Sequence, residues 1–266
     1  MQAEVTLRAL RDQRRSLAVW VVALVLLVAM YVAIFPSVRG DSSYAKLIDG
    51  LPKAYRALIT VAGGGDITSP VGYLDVELMT FMGPLLVFVY AIGAGAGALA
   101  GEEERHTLDF LLATPIRRER VVVEQFVALC AGTAVLVTAM WAALVAEGAM
   151  AGMAVPLGDA AAAMLHLGLL GVEFGALALF VGALTGRLGP SRALPTVVAV
   201  VAYLVNALGP IVSWLRPLRP YSPFYQYIAH DPLRTGVSAP AVAVTVSSIL
   251  VLVALSAVAF RRRDVT

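Results

Sequence analysis

The chain has 266 residues, 59% of them apolar and only 14% charged, with a mean hydropathy of +0.82; these proportions lie far outside the soluble range and make it an integral membrane protein. A net charge of +2 points to neither nucleic acid nor an acidic partner, and a single cysteine, Cys130, excludes an internal disulfide and a cysteine-built metal site. Arginine outnumbers lysine 18 to 2 and alanine abounds, the usage expected of a GC-rich bacterial genome.

Crossing about 30 Å of hydrocarbon takes roughly 20 helical residues. Six apolar segments are long enough: 17–37, 78–100, 119–146, 159–185, 193–215 and 239–260. They form one all-α transmembrane domain over 1–266. The first follows RDQRRS, but its apolar run is too long for a signal-peptide core and no small-residue cleavage site follows, so it is expected to remain as a helix. In the outer segment 38–77, Tyr44, Leu47, Ile48, Leu51, Tyr55, Leu58 and Ile59 recur at helical spacing around Pro52, which predicts a kinked amphipathic helix on the outer interface; Gly63 to Asp66 then turns the chain.

The second span ends in GAGAGALAG. Without a preceding strand or a G-K-[ST] this is not a phosphate loop, and Gly93, Gly97 and Gly101, four residues apart, predict a smooth face for close helix packing. GEEERHTLDFLLATPIRRER, Gly101–Arg120, follows as the densest run of charge in the chain. Leu108, Leu111 and Leu112 share one face there, so a short amphipathic helix is expected over about 102–114, with Thr114 and Pro115 capping and starting the third span. Such a helix can dock a soluble partner or lie on lipid headgroups.

The fourth span carries Glu173 near its middle, where an uncompensated charge costs about 2.5 kcal/mol or more, so it must face protein or water. His166 lies two turns away on nearly the same face, and Asn206 is a polar residue in the fifth span. These three can line a translocation cavity or serve as interhelical hydrogen-bond partners. The second outer segment, 216–238, is rich in proline and aromatics; Tyr221, Phe224, Tyr225 and Tyr227 read as an interfacial belt or an outer gate. With both termini inside, thirteen basic residues face the cytoplasm against seven outside, the positive-inside orientation. No nucleophile stands beside a base and no His or Glu cluster has metal spacing, so neither catalysis nor a cofactor is expected on this chain.

The run GEEERHTLDFLLATPIRRERVVVEQF resembles the cytoplasmic signature of permease subunits in the type-2 ABC exporter family: an acidic pair, R-G-T-L, an apolar pair, then T-P and basic residues. Further similarity lies in FPS (35–37), GLP (50–52), SPVGYL (69–74), FGALALFVGALTGR (174–187), SPFYQY (222–227) and DPLRTG (231–236). His106 departs from the usual glycine, which a helix tolerates at least as well. The resemblance implies that segment 102–114 is a coupling helix seated on a separate ATP-binding cassette subunit, with Glu103, Glu104, Arg105, Thr107, Leu108, Leu111 and Leu112 in the contact. It further implies two copies of this chain with two ATP-binding subunits that carry the ATP and Mg, in a bacterial plasma membrane. The few charges within the spans suggest a hydrophobic or amphipathic cargo. The alternative from the residues alone is a non-transporting anchor that docks a soluble partner.

Overall fold

In hydrocarbon a backbone amide has no water to bond, so an apolar run that crosses a bilayer closes its hydrogen bonds within itself as a helix. The computed structural model, which describes residues 4–39, 46, 50–53, 55, 68–105, 117–153 and 155–263, is built on that rule. Among these residues six helices are long and apolar enough to cross a membrane: α1 (Glu4–Val38), α2 (Pro70–Glu104), α3 (Arg118–Met150), α4 (Leu157–Thr185), α5 (Leu188–Leu208) and, last in the chain, α8 (Ala239–Arg262). Between α5 and α8 lie a 3-10 helix (Arg216–Tyr221) and the short helices α6 (Pro223–Ile228) and α7 (Pro232–Thr235).

Contacts place α4 at the centre. It packs against α2, α3, α5 and α8, whereas α1 rests mainly on α3. The apolar stretch of α4 is 78% buried against 22% for α1 and α8 and 28% for α5, so α4 faces protein and the outer helices offer most of their surface to their surroundings. Buried small residues let its neighbours approach, Ala160, Ala163, Gly168, Gly171, Gly175, Ala176, Ala178, Gly182 and Ala183 among them. Lipid is as apolar as leucine, so close backbone approach rather than greasiness holds such a bundle together. The tightest approach is Gly95 to Gly175, where a Cβ on Gly95 would run into the Gly175 carbonyl group.

Three boundaries differ from those expected. First, α2 begins at Pro70, because the Ser69 side chain accepts from Gly72 N–H at 3.1 Å and proline suits the first helical position. Second, α2 continues through Glu104, so the acidic triple is its last turn and not the start of a separate helix. Third, α5 stops at Leu208 and not near 215: Pro210 has no N–H, and the still apolar Ile211 to Leu215 are turns. The described part of α3 starts at Arg118, beside the expected start at 119, and the capping role of Thr114 and Pro115 lies outside the described residues. The glycine face also needs correction. A Cβ on Gly93 or Gly97 would meet nothing within 4 Å, and the glycine used for packing is Gly95, on another side of the helix. Of the expected outer amphipathic helix, only Lys46, Gly50 to Lys53 and Tyr55 are described.

Two stretches of α2, Asp75–Met82 and Gly97–Gly101, are π-helical. In the first, the Gly83 N–H bonds to Leu78 O, five residues back. In that register the next donor, for Met79 O, would be residue 84, which is proline and has none.

The Gly95 contact generates a direct test. Gly95→Val should cost about 1–3 kcal/mol by overpacking, lowering the midpoint of thermal unfolding in detergent. Gly93→Val, half a turn away, should leave it almost unmoved. Equal effects from the two would refute the packing assignment.

Candidate functional site

Most of the ion pairs between helices gather at the two ends of the bundle. At the end that carries Glu4 and Arg263, the helix ends are stapled by charge. The Arg263 guanidinium pairs with Glu103 in the last turn of α2 and donates at 3.2 Å to the carbonyls of both Gly182 and Ala183 in the last turn of α4. Its own backbone carbonyl accepts from Arg118 Nη1 at 2.6 Å, at the start of α3. Glu104 Oε1 accepts from the Leu188 N–H at 2.8 Å and so fixes the first turn of α5. Arg261 pairs with Glu119 at 3.2 Å, Arg120 with Glu124 at 2.8 Å, and Thr6 donates its hydroxyl to the Glu124 carbonyl at 3.1 Å. Gly186 closes α4 in the left-handed conformation, φ 66°, and a Cβ there would collide with the Arg263 guanidinium.

Glu103 and Glu104 therefore work inside the chain, on Arg263 and α5 respectively. Arg105 is the exposed residue that ends α2. His106, Thr107, Leu108, Leu111 and Leu112 lie outside the described residues, as does the rest of the expected coupling helix to 114.

At the opposite end, the segment between α5 and α8 is seated by three contacts. Phe224 wedges among Phe88, Phe174 and Tyr203, with ring centroids 5.7, 6.3 and 5.4 Å away, and thereby joins α2, α4 and α5. The Tyr227 hydroxyl donates at 2.9 Å to Met79 O, the carbonyl that Pro84 leaves without a backbone donor. Burial pushes this hydroxyl well above the ordinary phenol range, and the nearby Asp75 carboxylate adds to the effect, so it stays a donor. Arg234 of α7 pairs with Asp75 of α2 at 3.1 Å and with Asp231, the one non-glycine residue at positive φ among the described residues. Of the four aromatics expected at an outer gate, Phe224 and Tyr227 are buried anchors, Tyr225 lies under the Arg219 guanidinium and beside His230, and Tyr221 is 85% exposed.

The three polar residues of the spans each have a separate partner. Glu173 Oε1 accepts from Ser248 Oγ of α8 at 2.6 Å, and among the described residues no donor reaches its buried Oε2. His166 Nε2 accepts from the Ser238 N–H at the start of α8, at 3.3 Å. Asn206 Oδ1 accepts from Arg219 at 3.1 Å, tying α5 to the segment after it rather than to another span. A pocket of about 350 Å³ lies at the hairpin between α3 and α4, lined by apolar residues such as Leu144, Met153, Val155 and Leu157.

The sequence profile described as ABC-2 family transporter protein matches residues 5–265, nearly the whole chain and all six spans. The chain belongs to the ABC-2 transporter family. No curated protein matched it. An ABC-2 membrane component is a multi-pass permease subunit of an ABC transporter and works with an ATP-binding cassette partner. Asp75, Arg234 and Arg263 were not singled out as site residues by sequence. The signals that could have found them are modest: an acid just before an apolar span, the glycine after α4, and the arginine run after α8.

The Tyr227 contact is testable. Tyr227→Phe keeps the ring but leaves Met79 O buried without a donor, so it should destabilise the fold by about 1–3 kcal/mol, measured as loss of thermal stability. A variant as stable as the parent would mean that the hydroxyl is not the carbonyl's partner.

Proposed function

We propose that this ABC-2 permease is the membrane half of an exporter and moves a hydrophobic or amphipathic cargo out of a bacterial cytoplasm. Two copies of the chain work with two ATP-binding subunits, which hold the ATP and Mg. The segment 102–114 seats on those subunits, with Arg105, Thr107, Leu108, Leu111 and Leu112 as the contact residues. The termini and this segment face the cytoplasm, in accord with the thirteen basic residues on that side. The observation that carries the reading is the family match over residues 5–265 combined with the amphipathic charged run between two spans. ATP-driven closure of the partner subunits would push on that run and shift the spans between inward-facing and outward-facing states. Glu103 and Glu104 enter the reading differently from the other docking candidates: held by Arg263 and Leu188, they brace the root of the segment.

The exposed faces of α5 and α8 are consistent with a second copy. Val197, Val200, Val201 and Leu204 of α5 and Leu250, Val251 and Leu255 of α8 are exposed among the described residues.

Purification of the chain together with its ATP-binding subunit tests the proposal. Leu111→Asp puts a charge on the docking face outside the bilayer and should dissociate the complex or uncouple ATP hydrolysis from transport, with the membrane fold intact. Unchanged assembly and unchanged transport would return the segment to a headgroup-lying loop. Glu173→Gln should preserve fold and complex, since Ser248 can still donate to the amide oxygen. A loss of transport in that variant at normal ATPase rate would assign Glu173 to the cargo path, whereas a silent variant leaves it a structural partner of α8.

A further inference from the structure

Segment 106–116 joins the end of α2 to the start of α3 in the chain, so whatever moves the segment pulls on those two helix ends. Both ends meet at one residue. Glu103, one turn before the segment departs, pairs with the Arg263 side chain, and Arg118, just after the segment returns, donates to the Arg263 backbone carbonyl at 2.6 Å. The same guanidinium donates at 3.2 Å to Gly182 O and Ala183 O, carbonyls in the last turn of α4, from which the chain turns directly into α5. Arg263 thus joins the ends of α2, α3 and α4 to α8, whose last helical residue, Arg262, precedes it.

Two further observations mark this as a built contact. Arg263 and Glu103 are only 18% and 20% exposed as side chains, so their attraction is screened far less than that of the neighbouring Arg261 and Glu119 pair, at 60% and 47%. Gly186 sits at φ 66°, and a Cβ there would occupy the space of the guanidinium and the Glu103 carboxylate, so the turn is shaped around the pair. Only 22% of the apolar stretch of α8 is buried, and a charge-assisted fork at its end gives a firm handle on it.

We infer that Arg263 is a positioning residue that transmits displacement of segment 106–116 to α8 and to the α4–α5 turn. This rests on the coupling role proposed above. A lysine in its place would keep the charge for Glu103 but lose the planar fork that also reaches two carbonyls.

The test uses the complex with its ATP-binding subunits in lipid nanodiscs, with a single reporter cysteine at Val237, an exposed position just before α8, in a Cys130→Ser background. Labelling by a polar maleimide is timed without nucleotide and with ATP plus vanadate, beside the ATPase rate and thermal stability. In the parent the labelling rate should change on trapping. Arg263→Ala should abolish that change while the complex still assembles and hydrolyses ATP, and Arg263→Lys should recover part of it. An Arg263→Ala complex with the full nucleotide-dependent change overturns the inference. So does a loss of assembly and stability in Arg263→Ala accompanied by an Arg263→Lys complex that is stable and shows the full change, since charge alone would then suffice. A parent complex that hydrolyses ATP with no change at position 237 also overturns it, because α8 then receives no movement. A parent chain that forms no ATP-hydrolysing complex overturns the proposed function, and the inference with it, before any substitution is made.

Discussion

Lipid competes with every apolar side chain for contact, so helices in a membrane stay together only where they come closer to one another than lipid can follow. α4 meets that condition on most of its circumference. Its glycines and alanines admit α2 to backbone contact at Gly95 and Gly175, and α3, α5 and α8 pack against it as well. The rest of the structure depends on this. Apart from Glu173 and His166, the centre is built mainly of apolar residues, and most of the ion pairs lie at the ends, where water and headgroups can solvate whatever the protein does not.

Each end uses a different physical means to the same effect. At the terminal end, arginine forks and carboxylates bind helix ends that have run out of backbone partners, as Arg263 does for the last carbonyls of α4 and Glu104 for the first N–H of α5. At the other end the join is largely steric and aromatic, with Phe224 set among three rings and Tyr227 supplying the one donor that a proline withheld. The alternating exporter proposed above would benefit from this division. Ion pairs can exchange partners, while a wedged ring holds its place until the helices around it separate.

The six spans were legible because twenty apolar residues in a row admit few other structures in a membrane protein. Their limits were less so. Ile211 to Leu215 prolong the apolar run of α5 without prolonging its helix, since hydropathy does not register the missing N–H of Pro210. The spacing of Gly93, Gly97 and Gly101 was real, but spacing does not say which side of a helix meets a neighbour; Gly175 decides that, and it lies 80 residues from Gly95 in sequence. Nothing local in the sequence ties Glu103 or Glu104 to the bundle, because Arg263 and Leu188, which engage them, are distant in the chain. Residues with local signals, such as Ser69 before Pro70 or Gly186 after α4, are the ones whose roles follow from sequence with the least help from tertiary contacts.

The π-helical stretch at Asp75–Met82 carries a consequence for how span 2 tolerates change in length. A π turn holds one residue more than an α turn. Removing one residue between 76 and 81 would let the stretch relax to α-helix, and since the π turn winds its extra residue into about the same rotation, the faces before and after it would stay nearly in place. Pro84 would still leave one carbonyl without a donor, but in α register that is the carbonyl four positions before it and not Met79 O. The Tyr227 hydroxyl would then lose the unclaimed acceptor it now meets at 2.9 Å. The wide turn thus selects which carbonyl of α2 is left bare while the faces on either side of it keep their neighbours.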